Sequence, residues 1–251
     1  MIDFSQVKLG KKPAEFDRRT LKLSNYLDMP KLPPLPPEGS DWFAKVSKFN
    51  MAGNDRYGDC VRAGAAHMRQ TWTANAGRKE IITPDQQVIE DYLKLTGGQD
   101  TGLSMLEFLK YWRKVGLSGG EDKIGAFVSL NPKKSIQLQY VNFLFGGGAW
   151  GVLLPKSIEG QKVWDIPSGG PIGEGEPGSL GGHFVNMGVA DNKGYEVGTW
   201  GEKQPVALAF PIVYCDEAYA IISLDWFNVN HKTPTGLAWK DLMSDLAKIP
   251  S

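Results

Sequence analysis

The sequence predicts an α+β protein with its helices first and its strands last. Two observations carry this. Between residues 60 and 148, apolar residues recur at helical spacing inside start and stop signals, whereas from Ala149 to Ser223 short β-type runs are separated by Gly, Asp-Asn and Pro. A third sets the scale: 251 residues can bury a sizeable core and lie near the size at which one core divides into two lobes.

The elements follow in order. Residues 31 to 42, KLPPLPPEGSDW, are Pro-rich and expected to be extended, because proline fixes φ and disfavours helix in the residue before it. They divide an extended N-terminal arm (1–40) from the body (41–251). Within the arm, Asp17 to Leu23 carries too little apolar surface to fold alone, so the arm is expected to wrap the body or a partner. Cys60 to Ala76 is Ala-rich with Met68 and Trp72 at helical spacing, and Gly77 stops it. Thr83-Pro84-Asp85-Gln86 combines an N-cap, a first-turn proline and a capping-box Gln, and Gly97-Gly98 closes that helix. Ser104-Met105-Leu106-Glu107 starts a third helix, with Leu106, Leu109 and Trp112 on or near one face. Asn131-Pro132 opens a fourth, ended by Gly146-Gly147-Gly148.

Strands are expected at Ala149–Leu154, His183–Ala190, Tyr195–Trp200 and Val206–Ser223, with a closing amphipathic helix at 237–249. The helical lobe then spans about 41–148 and the β lobe about 149–230.

Composition narrows the function. Lys+Arg and Asp+Glu are equal at 28 each, so the electrostatic footprint of nucleic-acid binding is missing. No apolar run approaches the ~20 residues that cross a bilayer, and MIDFSQVKLGKK lacks a secretory apolar stretch, so a soluble cytoplasmic chain with no membrane partner is expected. Two cysteines, Cys60 and Cys215, give no disulfide framework and no four-thiolate zinc site. A disulfide between them is the plain alternative. No cofactor or metal is expected. Gly173 to Gly178 matches a dinucleotide fingerprint only in spelling, and reads better as a mobile glycine loop bordering a cleft. Asp55, Asp59, Asp216 and Glu217 match no metal loop and read as solvated or capping carboxylates.

Three histidines are candidates for a general base. His67 lies seven residues after Cys60 on one helix, ~10 Å along its axis, too far to accept the thiol proton. It reads as a core or interlobe histidine, and His231, in the polar stretch NVNHKTP, as a surface one. His183 follows Gly181-Gly182 at a strand start, where its ring can project into a cleft. Cys60 follows the turn-rich loop Asn54-Asp55-Arg56-Tyr57-Gly58-Asp59 at a helix N-terminus, where exposed N–H groups and the macrodipole favour thiolate. Asp59 works against this by its charge, although as N-cap it would direct that charge to the helix amides. By position alone, a nucleophile and an inert buried cysteine are both compatible with this pattern.

Asp41-Trp42, then Asn54 six residues before Cys60 in Gly58-Asp59-Cys60, then Gly182-His183 and Gly198-Thr199-Trp200-Gly201, resembles the papain-like cysteine peptidases in order along the chain. The likeness covers about residues 41 to 223 and is specific around Cys60 and from His183 to Gly201. It implies a papain-like fold, with a helical N-terminal lobe carrying the Cys helix and a C-terminal antiparallel β-barrel-like lobe carrying the His. Cys60 would be the nucleophile and His183 the base. The Asn54 amide and the Cys60 N–H would form the oxyanion hole, and Trp200 would shield the imidazole. Asp59 and Gly182 fall with Trp200 on the substrate side.

The sequence departs from that family at the orienting residue, where Gly198 or Thr199 replaces Asn. Thr199 would accept the ring's hydrogen bond, or Asn186, Asp191 or Glu202 would substitute, or a bare dyad would act. Asn54 is also one methylene shorter than the family's Gln. The sequence further resembles proteins of phages and actinobacteria, a likeness that implies no activity but makes a virion-associated location an alternative to the cytoplasm. The function expected is a cysteine-dependent acyl-transfer hydrolase acting on peptide or isopeptide bonds, with a peptide-like substrate or protein partner in the cleft. A catalytically inactive papain-like structural or binding protein is the alternative, favoured by the missing Asn, by Asp59 and by the arm.

Overall fold

The computed structural model describes residues 2–25, 32–228 and 230–235, so the expected closing helix at 237–249 lies outside the described residues. Helix α1 (Cys60–Asn75) is central and buried on nearly every side. Its small residues make that possible. At Gly64, an added Cβ would lie 2.0 Å from Cδ1 of Phe184, so only glycine lets the Cys helix press against the strand that carries His183. Helices α2 (Asp85–Leu95) and α3 (Met105–Lys114) follow. Ser104 caps α3 by accepting the Glu107 N–H at 3.4 Å, as its position predicts.

Two other starts differ from expectation. Pro84 is the N-cap of α2 and makes no side-chain cap, so Thr83 stands outside the helix. The Asp85 carboxylate instead accepts from the Asn50 side chain and the Ala52 N–H, which ties α2 to the loop before Cys60. Helix α4 (Ser135–Phe145) begins four residues after Asn131, whose side chain closes a turn on the Lys133 N–H. It ends at Gly146 with φ 69°, the left-handed stop the glycines predict.

The strands β1 (Ser40–Asp41), β2 (Ile124–Leu130), β3 (Gly148–Leu154), β4 (Gly181–Ala190), β5 (Gly194–Thr199), β6 (Glu202–Ala207) and β7 (Cys215–Ser223) form one antiparallel sheet. Its order is β2-β7-β3-β4-β5-β6, with β1 pairing the end of β4 beyond Met187, where the β3 ladder stops. Strand β2 lies in the helical half of the sequence yet pairs along β7, and its alternating burial is that of a half-covered strand. The run from Val206 to Ser223 is not continuous β structure: Pro211, in the first turn, opens the short helix α5 (Phe210–Tyr214) between β6 and β7.

The arm wraps the body. Leu21 accepts the Ser129 N–H at the edge of β2, and Leu23 is buried in the β-lobe core. No helix among the described residues is long and apolar enough to cross a membrane.

Candidate active site

The helix start and the strand start are brought together. Cys60 is the first residue of α1 and His183 the third of β4, and both are about 1% exposed. The backbone N–H of Phe184, next to His183, acts on the Cys60 thiol to favour its ionised form. One ring nitrogen of His183, Nε2, lies 2.6 Å from Oγ1 of Thr199, while Nδ1 has no partner among the described residues. Of the other orienting candidates, Asn186 bonds Thr71, Asp191 bonds turn amides at Lys193 and Gly194, and Glu202 lies exposed at the start of β6. Thr199 alone of the four reaches the ring.

Trp200 stacks on the imidazole at 4.0 Å between centroids and 21° between planes. The turn that carries it explains why. Trp200 and Gly201 link β5 to β6 with φ 46° and 74°, positive at both central positions as a tight hairpin of right-handed twist requires. Such a φ is uncommon for a bulky residue. Contacts with His183, Trp164 and Phe4 hold it there.

Asn54 is buried beside the helix start, and its Nδ2 donates to the Tyr57 carbonyl at 2.9 Å and to the Lys8 carbonyl at 3.2 Å. Asp59 differs from expectation. It is the N-cap by position but makes no side-chain cap bond to α1, and it is fully buried near Gly53. Burial, and then the charge of Asp100, push its carboxyl up to about 8, so near neutral pH it is largely protonated. His67 hydrogen-bonds the Asn50 carbonyl at 2.9 Å and its pKa falls to about 4 by burial, the interior role its spacing suggests. His231 is exposed, and both cysteines are free thiols.

The arm fills the space above the sulfur. Lys8 N–H donates to Asn54 at 2.8 Å, Lys11 N–H to Gly182 at 3.2 Å, and Leu103 N–H to Gly10 at 2.9 Å. Lys12 N–H returns to Leu103, so residues 10 to 12 form a parallel bridge with Leu103. The Lys8 carbonyl also accepts from Trp200 Nε1 at 3.1 Å. Contact is close enough to require glycine: a Cβ on Gly10 would lie 1.7 Å from the Gly58 oxygen, and one on Gly182 would lie 2.4 Å from the Lys11 oxygen. The Gly10 N–H lies near enough to the Cys60 sulfur to favour its thiolate.

Under this cover the thiol is dormant. Burial pushes Cys60 up to about 12 and the Asp59 charge adds to it, against the Phe184 and Gly10 N–H groups and the Lys11 charge. Burial likewise pushes His183 down to about 3, so both groups are neutral at pH 7.

Sequence reasoning missed Gly10, Lys11 and Leu103 as parts of the site. It also read Asp216 and Glu217 as solvated or capping carboxylates, whereas they hold the buried Lys11 ammonium at 2.8 and 3.1 Å. The one available signal was Gly10 between lysines in KLGKK, and it is weak. Among the described residues no acidic, Cys or His cluster could hold a metal ion, and Gly173–Gly175 is a three-residue turn that opens no helix.

No protein-family model and no curated protein matches the chain, but solved structures do. Xylellain, a cysteine protease from Xylella fastidiosa, superposes over 87% of this chain and 97% of its own with a TM-score of 0.70, at 14% identity. The chain has the papain-like fold. Procathepsin B S9 from Trypanosoma congolense matches with a TM-score of 0.59 at 10% identity, covering 87% of each chain. Procathepsin L 3 of Tenebrio molitor larval midgut matches with a TM-score of 0.59 at 13% identity over 87% of this chain and 77% of that one. The papain-like architecture thus extends over nearly the whole described body, with the Cys helix and the His strand where the resemblance implies them.

Proposed function

We propose that this papain-like chain is a latent cysteine peptidase whose own arm occupies the substrate cleft. The observation that carries the reading is the state of His183: Thr199 holds one nitrogen at 2.6 Å, Trp200 covers the ring face, and the other nitrogen is left without a partner. An imidazole with no chemical task gains nothing from such an arrangement. Once the arm departs, water re-enters, and the burial that separates the two pKa values is relieved. Nδ1 then takes the Cys60 proton, and the thiolate attacks a peptide or isopeptide carbonyl. The developing oxyanion is held by Asn54 Nδ2, already bound to the Lys8 carbonyl, and by the Cys60 N–H at the helix start. The imidazolium protonates the leaving amine, and water releases the acyl-enzyme. Thr199 acts on the ring alone, as a positioning residue. The substrate strand would add to Leu103 and Gly182 where the arm now lies.

Substituting Gly10→Val in the full chain tests the reading, since the new Cβ meets backbone that cannot move aside. That variant should hydrolyse unstructured peptides that the wild-type chain leaves intact, and adding Cys60→Ala should lower the rate at least about 10³-fold. Hydrolysis that survives Cys60→Ala would refute it.

A second reading, a binding module that keeps the fold without catalysis, is favoured by the buried Asp59 beside the thiol. It predicts a Gly10→Val chain that binds peptides and cleaves none.

A further inference from the structure

The Lys11 side chain is fully buried, which is unusual for a residue near the start of a chain. Its ammonium reaches Asp216 Oδ2 at 2.8 Å, Glu217 Oε1 at 3.1 Å and the Lys12 carbonyl at 3.1 Å. Glu217 is itself fixed by the Tyr219 hydroxyl at 2.8 Å on Oε2. The space for the aliphatic stem is made by Gly151 of β3. A Cβ there would lie 2.2 Å from Lys11 Cε, 2.7 Å from Glu217 Cγ and 2.8 Å from the Met105 sulfur. The Lys11 stem thus packs closely at Gly151 beside Met105 and ends on two carboxylates.

Its place in the cleft is as telling as its chemistry. The backbone of Lys11 bonds Gly182, the residue before His183, and bridges Leu103 on the opposite wall. Its charge is close enough to Cys60 to favour the thiolate. Any extended peptide that replaces the arm between these walls will direct a side chain at the same opening. When Lys11 leaves, two carboxylates lose their cation, the Glu217 side chain being only 7% exposed, and the occupant that restores their partner is a cation on a flexible apolar stem.

We propose that the Gly151–Met105–Glu217–Asp216 pocket is the specificity pocket of the cleft and selects peptides carrying a lysine or arginine side chain, with Lys11 as its resident mimic. This rests on the proposed peptidase reading and names its substrate class. The arm and the substrate then compete for one site, so peptides rich in basic residues should also be the ones that displace the arm.

The test uses the full chain with Gly10→Val and Lys11→Ala, which frees the cleft and empties the pocket. Hexapeptide libraries with one position fixed as lysine, arginine, norleucine or glutamate are scored for hydrolysis, and for binding in the same chain carrying Cys60→Ala. At one position, lysine or arginine should exceed norleucine at least tenfold, glutamate should be weakest, and adding Glu217→Gln should remove most of the lysine preference. Norleucine equal to lysine at every position would overturn the proposal.

The two readings fail separately. Selective binding of basic peptides without cleavage would sink the peptidase and uphold the pocket, whereas cleavage without preference would do the reverse. Should the double variant not fold, Lys11→Ala alone decides: n-butylammonium should raise its melting temperature and n-butanol should not, and equal effects would contradict the pocket.

Discussion

Cys60 and Cys215 are both free, both buried and both driven by burial to a high pKa, with an acidic neighbour in sequence adding to each. What encloses them differs. Cys215 starts β7 opposite Val152 of β3, and its sulfur meets the Glu217 carbonyl at 3.2 Å, so the sheet itself shuts it in. Cys60 starts a sixteen-residue helix, its thiolate is favoured by the Phe184 and Gly10 N–H groups, and residues 8 to 12 of the N-terminal arm bond the chain on either side of it. Two buried thiols are thus unequal in prospect. Burial by a core is permanent, whereas burial by an arm is conditional, and only the second is compatible with a nucleophile held in reserve.

The acidic neighbours sharpen the contrast. Asp216 is paired with Lys11, while the buried Asp59 side chain makes no cap bond to the helix it precedes. Because the folded pKa of Asp59, about 8, lies above the ordinary carboxylate value of about 3.9, the unfolded chain gives up its proton first as pH rises. Its contribution to stability is whole below about pH 4 and is lost on the way to pH 8. Asp59→Asn should remove that slope. Its melting free energy relative to wild type is expected to rise by a few kcal/mol between pH 4 and pH 8 in urea titrations. A flat difference across that range would mean that Asp59 is ionised in the fold.

A smaller effect probes the imidazole. In the Gly10→Val chain, Thr199→Val keeps the shape and loses the 2.6 Å contact to Nε2, and should lower turnover at neutral pH about tenfold. Thr199→Ser should restore most of it. A loss that serine does not rescue would make the methyl group, not the hydroxyl, the working part.

The same contrast between core and arm separates what was legible from what was not. Helix α1 could be read because Ala-rich spacing and Gly77 are local signals, and α3 because Ser104 and Glu107 are. Cys60 and His183 could be read together only through ordered motifs far apart in the chain. Thr83 was misplaced because Pro84 can itself stand at the N-cap, and β2 was hidden because its partner, β7, lies some 90 residues downstream. That the arm wraps the body was expected, but where it docks was signalled only weakly, by Gly10. KLGKK has neither helical nor β periodicity, and its fit depends on Gly58, Gly102 and Gly182 presenting bare backbone from three separate places. Lys11 and Asp216 are 205 residues apart, a pairing that only the folded chain displays.

The rate at which iodoacetamide labels each thiol across pH, read site by site by mass spectrometry in the wild-type and Gly10→Val chains, tests most directly whether Cys60 is a covered nucleophile. Cys60 should be nearly inert in the wild type through pH 9. In the variant it should label at least about a hundredfold faster, with a midpoint below the free-thiol value of about 8.5, while Cys215 stays slow in both. Equal, slow labelling of the two cysteines in a folded Gly10→Val chain would contradict it.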